Sequence, residues 1–204
     1  MRLSCFPCLR ESRGCPPPAD QSRRAGTSQS RDYWYSLLDD GTVEIARYYG
    51  NAEKLTIPDT LGGKKVTSIG SGAFLWCDSL TSVIIPDSVT TIGNWAFSDC
   101  NSLTNVTISD SVSTIGYSTF SNCSALTSIT IPDSVITIGD SAFYECDSLT
   151  SITIPDSVAT IGYHSFDNCP NLTLTVYRNS YALEYAKTNN IPYTYPDAND
   201  WLNN

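Results

Sequence analysis

The chain has 204 residues, 41% of them hydrophobic, and a formal net charge of −9, which is length and apolar content enough for one sizeable domain. Residues 1–32 hold six Arg against three acids, so the rest of the chain carries six basic side chains against eighteen acidic ones. A body this acidic repels phosphate backbones and excludes nucleic acid as a partner, and no run of about 18 apolar residues exists to span a membrane.

Residues 1–32, rich in Pro, Ser and Gly, read as a disordered tail or a mis-assigned start. They are not a secretory signal, because no apolar stretch of roughly 7–15 residues follows the early charge. Cys5 and Cys8 form a lone C-x-x-C with Cys15 beyond it. Zinc would need a fourth ligand, and the only histidine is far away at His164. No metal and no cofactor is expected there.

Residues 33–54 read as an N-terminal cap. Asp40-Gly41 sits between strand-like runs, a β-hairpin signal. From residue 55 to residue 172 the chain repeats itself every 23 positions. Phe74, Phe97, Phe120, Phe143 and Phe166 keep that step, as do Cys77, Cys100, Cys123, Cys146 and Cys169. So do Ile69, Ile92, Ile115, Ile138 and Ile161, each followed by Gly. The unit is L-x-x-I-x-I-P-D-S-V-x-x-I-G-x-x-A-F-x-x-C-x-x.

A period of 20–29 residues opening L-x-x-L-x-L marks a leucine-rich-repeat solenoid. In I-x-I the two Ile share one face of a strand and the residue between them takes the other. Pro ends the strand, and Asp-Ser is expected to cap the turn by side-chain bonds to nearby backbone. The Gly after the last Ile of the unit is expected to supply a turn conformation that a β-carbon opposes. A-F-x-x-C is too short for a helix and suits one 3₁₀ turn. Fixing each residue's backbone costs roughly 1–2 kcal/mol, while burying a large apolar side chain returns roughly 1.5–3 kcal/mol. One coil alone loses that contest, so only stacking makes the unit stable.

The repeat ends at residue 173. NLTLTVYRN keeps one strand, and SYALEYAKTNN predicts a short amphipathic helix with Ser180 as N-cap and with Tyr181, Leu183 and Tyr185 on the last coil. Residues 173–204 thus form a C-terminal capping strand and helix. The predicted fold is a right-handed stack of five to six strand-turn coils, mostly β with short 3₁₀ turns, closed by a hairpin cap and a helical cap.

Four groups of residues invite chemistry. The Cys column faces inward in parallel, which holds β-carbons farther apart than the ~3.5–4.5 Å of a disulfide, so it reads as five buried free thiols. Asp59, Asp87, Asp110, Asp133 and Asp156 supply one carboxylate per coil, too few for calcium's six to eight oxygens. They read as turn caps. His164, Ser165 and Asp167 are neighbours in one turn, and adjacency does not build a nucleophile, base and orienter. The exposed strand face is the candidate binding surface. Its ladder is Ser82, Asn105, Ser128 and Ser151 beside Ile84, Thr107, Thr130 and Thr153, on what solenoids commonly use as a concave face. Trp76 and Trp95, which flank the A-F positions, are either surface anchors or packing between coils.

The units and both ends, GTVEIARYYGN and SYALEYAKTNNIPYTY, resemble the BspA-like leucine-rich repeats of bacterial and protist surface proteins over residues 33–196. The resemblance implies an extracellular or cell-surface, non-enzymatic module that binds a protein ligand, host extracellular matrix or another cell surface among them, and works as a monomer. The chain shows neither a signal peptide nor an anchoring motif. The alternative is a structural spacer of a larger surface protein with no ligand of its own.

Overall fold

The computed structural model describes residues 27–30 and 32–196. Three antiparallel strands open the fold: β1 (Thr27–Ser30), β2 (Tyr33–Leu37) and β3 (Val43–Tyr48). β1 lies upstream of residue 33, where the sequence reading starts the cap, so the cap sheet takes in part of the stretch assigned to the tail. Cys5, Cys8 and Cys15 lie outside the described residues. At the β2–β3 tip Gly41 adopts φ +83°, and the Asp40 carboxylate accepts both the N–H and the hydroxyl of Thr42 at 2.9 and 2.6 Å. These bonds hold Asp40 below the ordinary carboxylate value.

β3 then pairs in parallel with the first coil, which contains β4 (Lys54–Thr56), β5 (Thr60–Leu61) and β6 (Lys64–Ile69). β5 and β6 form a tight hairpin around Gly62 and Gly63, both left-handed at φ +58° and +75°. That is the reason for the LGGKKV insert, since such two-residue loops need φ above zero at both central positions. Two strands per coil follow: β7 (Ser82–Ile84), β8 (Thr91–Ile92), β9 (Asn105–Thr107), β10 (Thr114–Ile115), β11 (Ser128–Thr130), β12 (Thr137–Ile138), β13 (Ser151–Ile154) and β14 (Thr160–Ile161). β15 (Thr173–Val176), α1 (Tyr181–Thr188) and β16 (Tyr193–Thr194) close the chain.

The strands stack into two parallel walls. One holds β4, β7, β9, β11, β13, β15 and β16, and the other holds β3, β6, β8, β10, β12 and β14. Paired residues are separated by the repeat: Ser128 faces Ser151, and Thr114 faces Thr137. The result is a β-solenoid of about seven turns with one short helix near its C-terminal end. That exceeds the five to six coils read from the pattern because each cap contributes a rung of its own.

The A-F-x-x-C stretch forms a third wall. Its i→i−3 bonds fall on alternate residues, as in Ala73 N–H to Gly70 O and Leu75 N–H to Gly72 O. The residues between them donate to the next coil, as in Phe74 N–H to Ala96 O and Trp76 N–H to Ser98 O. This alternation places two left-handed residues around each Phe, for example Trp95 (φ +54°) and Asp99 (φ +59°) around Phe97. A continuous 3₁₀ turn would spend every N–H within the coil; here half of them bind the coils together.

The core is a column of rings. Phe74, Phe97, Phe120 and Phe143 are fully buried, and successive rings through Phe166 stack 4.9–5.6 Å apart and within 15° of parallel. The caps continue it: Tyr48 lies 5.2 Å before Phe74, and Tyr185 meets Phe166 edge-on at 6.1 Å. Such pairs add to burial through their quadrupoles. Ser180 caps α1 by accepting Leu183 N–H at 3.1 Å, and α1 buries Ala182, Leu183 and Ala186. Tyr181, expected on the last coil, is 47% exposed instead; the helix face is rotated so that two alanines take the close contacts.

The repeated Gly has a different role from the expected one. Gly93, Gly116, Gly139 and Gly162 do not adopt positive φ. A β-carbon on Gly139 would stand 2.7 Å from the Gly116 carbonyl carbon, and one on Gly93 would stand 2.6 Å from Ser71 N. The residue is small because neighbouring coils touch there through backbone, not because the chain turns. Gly139→Ala is therefore expected to destabilise by about 1–3 kcal/mol, the cost of overpacking a tight site. Phe143→Ala, which empties the column between two stacked rings, is expected to cost about 3–5 kcal/mol. Urea unfolding of both variants checks this, and a change under ~1 kcal/mol for Phe143→Ala would contradict the column.

Candidate functional site

On the first wall, inward and outward residues alternate as the pleat requires. Val83, Val106, Ile129 and Ile152 are buried, while Ile84, Asn105, Thr107, Ser128, Thr130, Ser151 and Thr153 are exposed and Ser82 is half-buried. The outward residues form two rows in register. One runs Lys54, Ser82, Asn105 and then Ser128, Ser151, Thr173. The other runs Thr56, Ile84, Thr107 and then Thr130, Thr153, Thr175, Thr194. β9 and β11 lie side by side without regular ladder bonds, so the wall is hydrogen-bonded in two runs.

The second row is longer than the repeat alone suggested. Thr56, Thr175 and Thr194 belong to it, and the sequence carried the signal, since LTI, LTV and YTY keep the same apolar-Thr-apolar order in the irregular ends. A further row on the second wall, Thr91, Thr114, Thr137 and Thr160, was missed because the T-I strand is only two residues long. In the row before Ser82, Thr81, Thr104 and Thr150 are already spent on the fold: they donate their hydroxyls to the carbonyl one coil earlier at 2.8, 2.9 and 3.3 Å. What remains on the face is short hydroxyls, one amide, Ile84 and, at its first level, Lys54.

The other candidates resolve into structural parts. Ser134 and Ser157 donate to Val112 O and Val135 O of the preceding coil at 2.7 and 2.8 Å. The Asp of each Asp-Ser pair makes no such bond and faces solvent, so in these two coils the Ser binds between coils and the Asp caps nothing; in the coil of Ser111, which is exposed, Ser109 donates to Val89 O instead at 3.4 Å. Ser88, in the same position, has a buried hydroxyl without a partner, because the preceding coil carries the β5–β6 hairpin at that level. His164 Nδ1 pairs with Asp167 Oδ2 at 2.6 Å on the surface. Ser165 turns away from both, to the carbonyls of Gly139 and Gly162 at 2.8 and 2.7 Å. Those three residues do not line up for catalysis. Trp76 and Trp95 are exposed at 53% and 44%, and Trp95 packs edge-on to Tyr117 at 5.0 Å. Among the described residues no three His, Cys, Asp or Glu side chains converge as metal ligands, and no helix is long and apolar enough to cross a membrane.

All five repeat cysteines are free thiols. Each of the last four donates its S–H to the Phe carbonyl of the previous coil: Cys100 to Phe74, Cys123 to Phe97, Cys146 to Phe120 and Cys169 to Phe143, at 3.1–3.2 Å. A thiol is thus both a small hydrophobe and a weak donor at this position. Burial pushes Cys123 up to about 12. Cys100 and Cys146 are also raised, first by their contacts with Cys77 and Cys169 and then by burial. The column is uneven, because the end members Cys77 and Cys169 are only partly buried and their thiols are lowered by the bond to the inner neighbour.

A family model described as "BspA type Leucine rich repeat region" matches six copies over residues 46–173. The chain belongs to the BspA-type leucine-rich-repeat family. The T. pallidum leucine-rich-repeat protein is a solved structure similar to it, at 31% identity and TM-score 0.69 over 72% of this chain and 70% of that one. A leucine-rich cell surface protein from Faecalibacterium prausnitzii gives 32% identity and TM-score 0.71, over 79% of this chain and 42% of that one. A leucine-rich-repeat protein from Bacteroides ovatus gives 39% identity and TM-score 0.64, over 71% and 39%. This BspA-type chain thus spans well under half the length of those last two. No curated protein matches it in a sequence search. The BspA-type repeat fold is typical of protein–protein interaction modules and typically non-enzymatic.

Two outcomes test the thiol column. Brief alkylation of the native protein, read by peptide mass mapping, should label Cys77 and Cys169 well before Cys100, Cys123 and Cys146. The raised Cys123 thiol is neutral in the folded chain where the unfolded thiol, near 9.0, is already charged. The folded state then holds more protons, so this contribution to stability is complete below pH 9.0 and lost as pH rises toward about 12. Unfolding midpoints that stay flat across that window would count against it.

Proposed function

We propose that the solenoid is a non-enzymatic recognition module, secreted or displayed at a cell surface, that binds a protein ligand through the strand face of the first wall. One observation carries this reading: the outward rows between Thr56 and Thr194 are mostly Thr and Ser, interrupted in the Thr row only by Ile84, and their members from Ile84 to Thr153 are exposed, whereas Thr81, Thr104 and Thr150 one position earlier are bonded within the fold. Short hydroxyls in register form a level surface able to meet backbone and side-chain polar groups, and repeat proteins bind through such extended faces. A cell-surface setting is supported by the F. prausnitzii relative, itself described as a cell surface protein. Adhesion, to matrix proteins or to another cell, is the activity such a surface serves.

Changing Thr107, Thr130 and Thr153 together to Lys tests the reading. All three are exposed, so each change should stay within about ±0.5 kcal/mol of the parent stability. Three cations across the middle of the face should remove binding by mismatch of charge and shape. The parent is first screened by surface plasmon resonance against purified extracellular-matrix proteins, and the triple variant is then run against any that bind. A folded variant that binds as tightly as the parent would move the site off this face.

A further inference from the structure

One residue breaks the Thr row. Ile84 stands between Thr56 and Thr107 in register, yet it is apolar and 45% exposed. It lines a shallow, open depression together with Pro86 and the turn residues Asp59, Asp87 and Asp110. The depression lies where β4, β7 and β9 end and the chain turns, so its three carboxylates come from successive coils, about 5 Å apart.

These charges are uncompensated. Among the described residues none of the three forms an ion pair. From residue 66 to residue 177 the chain holds ten Asp or Glu and no Lys or Arg. Lys54 stands in the other outward row, opposite Ser82, and Lys65 lies opposite Thr60 on the β5–β6 hairpin without pairing to Asp59. The combination is an apolar floor with a negative rim. The Asp row continues to Asp133 and Asp156 on later coils, but Ile84 has no apolar counterpart in the row there and the depression does not extend to them. Shape and charge thus coincide only at the first three levels.

We propose that this groove binds an extended peptide segment of a partner in which an apolar side chain is flanked by Arg or Lys. The apolar group covers Ile84 and the adjoining Pro86, and each flanking cation bridges two carboxylates of adjacent coils. Guanidinium suits this best, since its planar fork can reach two acceptors at once. The inference rests on the strand face being a recognition surface, because Ile84 and Thr107 belong to both, and it names the partner chemistry at one end of that face.

The probe is a fluorescent peptide of sequence Arg-Ile-Arg-Ile-Arg, followed by anisotropy against the whole protein, with Arg-Ser-Arg-Ser-Arg and Glu-Ile-Glu-Ile-Glu as comparisons. The Arg/Ile peptide should bind, the Arg/Ser peptide more weakly, and the Glu/Ile peptide not at all. Asp87→Asn with Asp110→Asn should weaken binding about tenfold, and Ile84→Ser should also weaken it. Asp133→Asn with Asp156→Asn, on the same row outside the groove, should leave it within about twofold. Failure of the Arg/Ile peptide to bind, equal loss from the two Asp pairs, or no preference for Ile over Ser would overturn the groove. Thr130→Lys with Thr153→Lys separates the two readings, as both lie outside the depression. Loss of a matrix ligand in that variant without peptide binding to the parent sinks only the groove. Peptide binding with the matrix ligand retained sinks only the wider face.

Discussion

Everything in this molecule depends on coils approaching to strand distance along their whole circumference. A coil has no core of its own; its Phe, Ile and Cys side chains are buried only when another coil covers them. The repeated Gly sets that distance on one side, since a β-carbon on Gly139 or Gly93 would meet backbone of the previous coil well inside contact range. The Phe column sets it on another, with rings 4.9–5.6 Å apart. The two spacings agree with the ~4.8 Å between hydrogen-bonded strands, and this agreement lets one repeat length serve three walls at once.

The polar parts of the repeat follow from the same constraint. Backbone in a turn wall is costly to bury unless each N–H and C=O finds a partner. The left-handed residues on either side of each Phe aim alternate N–H groups at the next coil, and the Cys thiol binds a Phe carbonyl that faces the column. Ser134 and Ser157 do the same for Val carbonyls on the opposite side. Where the hairpin at Gly62 and Gly63 interrupts this arrangement, Ser88 is left without a partner. The exception lies where the repeat departs from itself, which is what a stacking-based account requires.

This also explains how much could be read from the sequence. Inward positions announce themselves because each must be apolar at every level, so Phe74 through Phe166 and the Ile and Cys series mark the core without coordinates. The direction of a polar side chain leaves no such periodic trace. Ser after Asp reads equally as a turn cap or as a bond between coils, and Gly after Ile reads equally as a turn or as a point of backbone contact. Only the geometry separates these. At the ends, Tyr48 and Tyr185 continue the Phe column from irregular spacings, and Tyr181 points outward because α1 lies on its alanines. For the candidate face, the Ser and Thr rows were legible as outward residues of a strand. The depression at Ile84 was not, because it needs Pro86 and three Asp from different coils to meet.

The separation between core and face has an energetic consequence for function. Outward residues of a solenoid can change with little effect on stacking, so their identity is free to answer to a partner. A row of like charges at coil spacing opposes stacking, and salt attenuates this repulsion for exposed groups without abolishing it at such short range. The Asp turn row nevertheless repeats from Asp59 to Asp156 with no Lys or Arg on the coils after residue 65. The Asp side chains do not cap their turns, so local structure does not account for them. For Asp59, Asp87 and Asp110 the proposed cationic partner supplies the counter-charge, whereas Asp133 and Asp156 repeat the carboxylate where the surface has no depression and stay solvated.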